Sequence, residues 1–239
     1  MIDIMTDDIV TDTAGVEMAS GSICTDKAAI FDLDGTLLDS MGVWDQVDID
    51  SLGRRGIDVP ADYMAKVASM QFQQIAEYTI ARFNLSDTPE QLMAEWDDMA
   101  RVAYSTVVEA KPHAVEYLKH LKASGVKLAV ATSLPPALRE PAMRHVGIFD
   151  FFDVIVSVDD AGDVGKDKPD VYLLAAQRLG VAPANCTVFE DLLIGIQSAK
   201  SVGMSVWAMH DDSSNNDWQT ICQIADGVLF DFNDAPQTL

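Results

Sequence analysis

Short apolar runs that stop abruptly at a polar residue recur along this chain. The first covers Ala28–Phe31 and stops at Asp32. Uninterrupted apolar runs of this length are typical of parallel strands that are buried on both faces of a sheet. Runs of the same form cover residues 126–131, 154–158, 186–189 and 205–209.

Helix-forming segments separate these runs. Pro112 begins one segment, which Gly125 can end, and Pro169 begins another before Gly180. Residues 192–202 form a third segment, which is followed by a glycine. Strands that alternate with helices predict an α/β fold, a doubly wound parallel sheet that forms a core from residues 27–39 and 112–239.

Residues 40–111 break this alternation, show no convincing strand and predict an inserted, all-helical cap domain. Thr88 and Gln91 flank a proline and a glutamate in the pattern of a capping box. The following helix carries a predicted buried face of Leu92, Trp96, Met99, Ala103 and Val107. An earlier helix carries Phe72, Ala76, Thr79 or Ile80, and Phe83 at helical spacing. An insertion after the first strand is expected to lie over the carboxyl ends of the strands, where open α/β sheets bind ligands.

The composition narrows the class of protein. Apolar residues make up 49% of the chain, enough for a sizeable core, which excludes a largely disordered protein. The chain has 38 acidic and 16 basic residues and a formal net charge of −22, which argues against nucleic-acid binding. No apolar run approaches the roughly 20 residues of a membrane-spanning helix, so we expect no membrane partner.

Residues 1–26 carry six acids and no base, which predicts a loose acidic leader without the positive region of a secretory signal. The three cysteines are far apart in the sequence, as is typical of reduced thiols. We therefore expect a cytoplasmic protein. A monomer is a separate expectation.

Two carboxylates, Asp32 and Asp34, follow the first predicted strand at a turn loosened by Gly35. A carboxylate is a competent nucleophile toward phosphorus, and the acyl phosphate that it forms is easily hydrolysed. Two charges this close together repel each other unless a cation lies between them, and hard oxygen ligands suit Mg²⁺.

Three further strand ends carry groups that suit phosphoryl chemistry. Thr132 offers a hydroxyl for phosphoryl oxygens, and Ser133 offers its backbone N–H beside it. Lys166 supplies positive charge for a phosphoryl group. Glu190 and Asp191 supply two more carboxylates that could complete a metal shell.

Four motifs in this order resemble the haloacid dehalogenase superfamily, in its phosphatase and β-phosphoglucomutase-like branch with a helical cap. The resemblance covers about residues 28–230. The motifs are Asp-Leu-Asp-Gly-Thr-Leu-Leu-Asp-Ser at 32–40, Val-Ala-Thr-Ser at 130–133, Gly-Lys-Asp-Lys-Pro-Asp at 165–170 and Phe-Glu-Asp-Leu-Leu-Ile-Gly-Ile-Gln-Ser-Ala at 189–199.

The resemblance implies a Rossmann-like core and a role for each matching residue. Asp32 would be the nucleophile, and Asp34 would protonate the leaving oxygen and then activate water. Mg²⁺ would be held by Asp32, the backbone carbonyl of Asp34, Asp191 and Glu190. In the same way, Thr132 and Ser133 would bind the phosphoryl group and Lys166 would neutralise its charge. The expected activity is Mg²⁺-dependent hydrolysis of a small phosphorylated metabolite, most simply a sugar phosphate.

The chain departs from the family pattern at two places. Lys168 competes with Lys166 for the role of the motif lysine, although Lys166 aligns with the motif directly. Sugar-phosphate mutases carry a Gly-x-x-Arg element early in the cap, whereas residues 69–74 contain no arginine. Arg54 and Arg55 are the available substitutes for it.

Other functions remain as alternatives. A β-phosphoglucomutase-like mutase would share every core residue, and a non-catalytic phosphate-binding module would keep the fold alone. Asp34 argues against a dehalogenase, because displacement of a halide leaves no oxygen to protonate. Met41, Trp44 and Gln71 are predicted to face the cleft between cap and core and to shape the pocket for the leaving group.

Overall fold

The computed structural model describes residues 26–67, 70, 72–162 and 164–239. The predicted leader, apart from Asp26, therefore lies outside the described residues. The strands are β1 (Ala28–Phe31), β2 (Leu38–Asp39), β3 (Glu109–Ala110), β4 (Lys127–Thr132), β5 (Val154–Ser157), β6 (Cys186–Glu190), β7 (Ser205–Met209) and β8 (Gly227–Leu229). The helices are α1 (Val43–Arg54), α2 (Tyr63–Val67), α3 (Phe72–Phe83), α4 (Pro89–Thr106), α5 (Ala114–Ala123), α6 (Pro136–His145), α7 (Asp170–Leu179), α8 (Leu193–Ser201) and α9 (Trp218–Ile224).

Six strands form one parallel sheet in the order β5-β4-β1-β6-β7-β8. All four residues of β1 are fully buried, because β4 and β6 flank this strand in the sheet and core residues cover both of its faces. After β1 the chain adds β4 and then β5 on one side of β1, and it then crosses over to add β6, β7 and β8 on the other side. The direction in which strands are added therefore reverses at β1. The predicted doubly wound α/β fold is confirmed, and a reversal of this kind is where such sheets bind ligands.

Two short strands correct the prediction for residues 40–111. Glu109–Ala110 pairs antiparallel with Leu38–Asp39, so the region does contain a strand. A ladder of two residues is too short to leave an alternating pattern in the sequence, and its formation depends on bringing distant segments together. These strands join the sheet to the helices between them, α1–α4, which we call the helical insert. The division of the chain into core and cap domains at residues 40 and 111 stays a prediction.

The buried face of α4 also differs from the predicted one. The capping box at Thr88 and Gln91 is present, as predicted. The helix buries Leu92 and Trp96, as predicted, but its other buried residues are Ala100 and Tyr104, whereas Met99 and Ala103 are only partly buried. Val107, which was predicted to be buried, is 69% exposed because it follows the end of the helix. A strict four-residue spacing therefore places the hydroxyl-bearing Tyr104 on the buried face.

The helical insert and the sheet share one hydrophobic cluster. Trp96 and Ala100 of α4 belong to the same buried cluster as Leu138 of α6 and Leu134, which lies just before that helix. This contact holds α4 beside the carboxyl end of the sheet, where the candidate site lies. None of the helices in the described part of the chain is long and apolar enough to cross a membrane.

Candidate active site

The carboxyl ends of the central strands bring the predicted residues together. Asp32 directly follows β1, Thr132 ends β4, and Glu190 ends β6, which are neighbouring strands. All three side chains are buried. Because parallel strands point the same way, these side chains lie at one edge of the sheet.

Lys166 connects two of the carboxylates. Its Nζ donates a hydrogen bond to Asp32 Oδ1 and another to Glu190 Oε2, the second over 2.8 Å. Burial acts to lower the pKa of Lys166, but the charges of Asp32 and Glu190 outweigh burial and raise it well above its usual value. Lys166 is therefore a fixed positive charge at the base of the site. Lys168, its competitor in the sequence, is 61% exposed and contacts Asp167.

Asp32, Glu190 and Asp191 form a buried acidic cluster, with one oxygen from each within 4.8 Å of the others. Burial, followed by the charges of Glu190 and Asp32, raises the pKa of Asp191 well above its usual value. Oδ1 of Asp191 accepts a hydrogen bond from Thr36, whereas its buried Oδ2 has no partner among the described residues. An unpartnered buried carboxylate oxygen beside two other carboxylates fits a hard divalent cation.

Gly35 lets the loop after β1 lie against this cluster. Its φ of +80° is a left-handed conformation, and a Cβ there would lie 2.5 Å from Asp191 Oδ2. A side chain at this position would therefore block the approach of the loop to the acidic cluster.

Asp34 is placed apart from the acidic cluster, and its carboxylate faces the helical insert. Burial raises its pKa to about 6, with the charge of Asp32 adding to the shift and hydrogen bonds from Ser40 and Tyr104 opposing it. A carboxyl group with a pKa near neutrality can both give and take a proton at physiological pH.

A cleft opens above these groups. One cavity of about 220 Å³ is lined by Asp32, Asp34 and Lys166 together with Thr132, Ser133, Met41 and Trp44. A neighbouring cavity of about 320 Å³ extends past Trp44 to Phe72 and Asp97. Met41 and Trp44 thus line the cleft as predicted, whereas Gln71 lies outside the described residues.

Arg54 and Arg55, the sequence candidates for a substrate-binding arginine, line neither cavity. Arg55 instead binds Asp87 and Glu95, each with an N–O distance of 2.8 Å. Arg54 lies 3.7 Å from Glu95 and is 62% exposed. Arg55 therefore links α1 to Asp87 and Glu95 within the helical insert, and an exposed pair such as Arg54–Glu95 contributes little to stability.

Several residues that contact the site were not singled out from the sequence. Ser40 and Tyr104 bind Asp34, Thr36 binds Asp191, and Tyr172 donates a hydrogen bond to Glu190 over 3.1 Å. Thr36 and Ser40 lie inside the first motif, so their hydroxyls were a visible signal. The contact of Tyr104 depends on how α4 packs, which the motif does not contain.

Comparison with known proteins places this site in a family. The sequence model of the haloacid dehalogenase-like hydrolase family matches residues 27–203 of this chain. The chain is 34% identical over 176 residues to the fructose-1-phosphate phosphatase YqaB of Escherichia coli (strain K12), covering 73% of this chain and 92% of that protein. The chain belongs to the haloacid dehalogenase-like hydrolase family, and it is an enzyme of that family.

Solved structures agree with this assignment. A candidate β-phosphoglucomutase from Thermotoga maritima is similar with a TM-score of 0.76 at 25% identity, covering 85% of this chain and 94% of that one. A haloacid dehalogenase family hydrolase from Deinococcus radiodurans R1, solved with bound phosphate and sodium, has a TM-score of 0.66 at 26% identity, covering 85% and 90%. The predicted family and fold are therefore confirmed.

Proposed function

We propose that this chain is a Mg²⁺-dependent phosphatase that hydrolyses the monophosphate ester of a small, uncharged metabolite such as a sugar. The observation that carries the proposal is the buried set of Asp32, Lys166 and Glu190 with Asp34 beside it at the switch point of the sheet. The phosphatase activity named for the Escherichia coli relative supports it.

The proposed reaction has two steps that share one pair of carboxyl groups. An Asp32 oxygen attacks phosphorus, the ester P–O bond breaks, and the leaving oxygen takes its electron pair and a proton from Asp34. Asp34, now ionised, then takes a proton from water while the water oxygen attacks the phosphorus of the aspartyl-phosphate. Asp32 leaves as a carboxylate, inorganic phosphate is released, and Asp34 is protonated again.

The residues around Asp32 supply charge and position for both steps. Lys166 is held in place by two carboxylates and neutralises negative charge on the phosphoryl oxygens. Thr132 and Ser133 line the same cavity and offer hydrogen bonds to those oxygens. Asp32, Glu190, Asp191 and the backbone carbonyl of Asp34 would hold Mg²⁺, which supplies charge neutralisation when it is bound.

The cleft favours a substrate with a single anionic group. Among the described residues, Lys166 is the only positively charged side chain that lines either cavity. The residues that the structure does not describe between positions 67 and 72 of the sequence are Ala68, Ser69 and Gln71, none of which is positively charged. Beyond the phosphoryl position the cleft offers the aromatic surfaces of Trp44 and Phe72 and the carboxylate of Asp97. These groups suit the carbon face and hydroxyls of a neutral sugar, and they repel a second phosphate or a carboxylate.

The test is a panel of phosphate esters assayed with and without Mg²⁺. The panel contains monophosphates of several neutral sugars and polyols, the matching bisphosphates and phosphoglycolate. We expect Mg²⁺-dependent release of phosphate from a neutral sugar monophosphate, with kcat/KM at least about tenfold lower for esters that carry a second anionic group.

Each other outcome contradicts part of the proposal. Isomerisation of a sugar phosphate that needs a bisphosphate activator, without net release of phosphate, would identify a mutase. A preference for bisphosphates would contradict the single-anion cleft. Release from no ester with or without Mg²⁺ would leave a phosphate-binding module as the better interpretation.

A further inference from the structure

Two hydroxyl groups donate hydrogen bonds to the same oxygen of Asp34. Ser40 Oγ donates to Oδ1 over 2.6 Å, and the Tyr104 hydroxyl donates to Oδ1 over 2.9 Å. Both donors are buried, with 2% of Ser40 and 1% of Tyr104 exposed. No described residue forms a hydrogen bond with Oδ2 of Asp34. The two oxygens of this carboxyl group are therefore in different environments.

Tyr104 reaches Asp34 from a different part of the fold. Ser40 lies in the loop that follows β2, close to Asp34 in sequence, whereas Tyr104 lies 70 positions away on α4. The spacing of Trp96, Ala100 and Tyr104 puts them on one face of α4, and all three are buried. The helix thus fixes the phenol more firmly than a loop would.

We propose that Tyr104 is a positioning residue: its hydroxyl, with that of Ser40, holds Oδ1 of Asp34 so that Oδ2 faces the leaving oxygen of the substrate. This inference rests on the proposed phosphatase function, because it assigns the proton donor of that reaction. With Oδ1 occupied by two donors, the proton that passes to the leaving oxygen resides on Oδ2. Tyr104 does not itself exchange a proton with the substrate.

Because Tyr104 lies on α4, the helical insert supplies a contact to Asp34, the proposed general acid and base. The nucleophile Asp32 is held by Lys166, and both belong to the segments around the sheet. Asp34 depends in addition on a contact from α4. A disturbance of α4 is therefore expected to impair protonation of the leaving group more than attack by Asp32.

The experiment compares Tyr104→Phe with Tyr63→Phe. Phenylalanine keeps the buried ring and removes only the hydroxyl that binds Asp34. Tyr63 is the matched control, because it is fully buried in the helical insert and its hydroxyl binds Thr79 Oγ1 over 2.7 Å, away from the site. Thermal melting of both variants checks that the fold is kept.

The measurement is kcat/KM for two substrates, the best sugar monophosphate and p-nitrophenyl phosphate. This ratio reports transfer of the phosphoryl group to Asp32 and excludes later hydrolysis. p-Nitrophenolate leaves without much help from an acid, whereas a sugar alkoxide requires a proton. For Tyr104→Phe we expect a loss of about 10- to 100-fold with the sugar phosphate and less than about threefold with p-nitrophenyl phosphate. Tyr63→Phe is expected to leave both values unchanged.

Equal losses of kcat/KM for both substrates would overturn the inference, because a merely structural role would affect both alike. No loss of kcat/KM with the sugar phosphate would overturn it as well. If the wild-type protein hydrolyses neither ester with Mg²⁺ present, the proposed function fails, and crystal structures of the wild-type protein and Tyr104→Phe decide the positioning role separately. Rotation of the Asp34 carboxyl group in the variant, within an unchanged fold, supports the role. An Asp34 carboxyl group that stays in place overturns it.

Discussion

Gly195 in α8 leaves room for two side chains of the candidate site, and Gly195→Ala should disturb both. A Cβ at this position would lie 2.6 Å from the Tyr172 hydroxyl oxygen and 2.8 Å from Glu190 Cδ. Both distances are shorter than real Cβ contacts, so both neighbours, or the helix itself, must shift. Tyr172 and Glu190 are each fully buried, which leaves them little space in which to do so.

The expected magnitude is the sum of two opposing effects. Forcing an extra methyl group into a well-packed core costs about 1–3 kcal/mol. Replacing glycine by alanine inside a helix returns about 1 kcal/mol of helix propensity. We therefore expect Gly195→Ala to lower the free energy of unfolding by up to about 2 kcal/mol. Because Glu190 holds Lys166, kcat/KM should also fall at least about tenfold.

Gly53→Ala is the matched control for this change. Gly53 lies in α1 and is exposed, and apart from its chain neighbours and the backbone of its own helix no atom would lie within 4 Å of an added Cβ. The same chemical change should therefore stabilise the protein there by about 0.5–1 kcal/mol and leave activity unchanged. The assay is urea unfolding followed by circular dichroism, together with phosphate release. If Gly195→Ala is as stable and as active as Gly53→Ala, the packing argument around Glu190 is refuted.

Two further predictions concern buried charge. Lys166→Met removes the cation between Asp32 and Glu190, so in EDTA the free energy of unfolding should fall by about 3–5 kcal/mol. Added Mg²⁺ should stabilise the variant more than it stabilises the wild-type protein. Equal unfolding midpoints of the two proteins in EDTA would contradict this prediction. Burial raises the pKa of Asp48, in the helical insert, to about 6, so the folded state binds the proton more tightly and loses stability as pH rises from about 4 to about 6. Asp48→Asn avoids that loss and should melt at a higher temperature than the wild-type protein at pH 8 but not near pH 4; a constant difference across this range would count against the assigned burial.

The central strands could be predicted because each is buried on both faces and therefore apolar throughout. β8 could not, since Gly227–Leu229 is short and buries only Leu229. α6 was equally hidden, because Pro136 and Pro141 interrupt its sequence pattern. In such segments packing against neighbouring elements decides the structure, and local sequence carries little of that information.

Some residues of the candidate site could likewise be predicted from the sequence, and others could not. Asp32, Thr132, Lys166 and Glu190 could be predicted because each lies in a motif, and the structure brings them together at one edge of the sheet. Their individual roles stay predictions. Tyr104 could not be predicted, because its contact with Asp34 depends on the rotation of α4 about its own axis. The predicted face of that helix passed through Ala103 instead.

Two lysines that the sequence offered for the same role, Lys166 and Lys168, differ in how exposed they are in the structure. Lys166 is 6% exposed and lies between two carboxylates, whereas the side chain of Lys168 is 61% exposed. The sequence places them two positions apart in the same loop. A turn at this point directs one lysine inward and the other to solvent, and of the two only Lys166 lines the cleft.

The most direct test of the account is phosphate release in the presence of Mg²⁺ by the wild-type protein, Asp32→Asn and Asp50→Asn. Asp50 is an exposed carboxylate on α1, so its variant controls for the same isosteric change outside the site. If Asp32 is the nucleophile, Asp32→Asn should lose at least about 10³-fold in kcat while Asp50→Asn keeps the wild-type rate. Phosphate release by Asp32→Asn at the wild-type rate would contradict the aspartyl-phosphate mechanism.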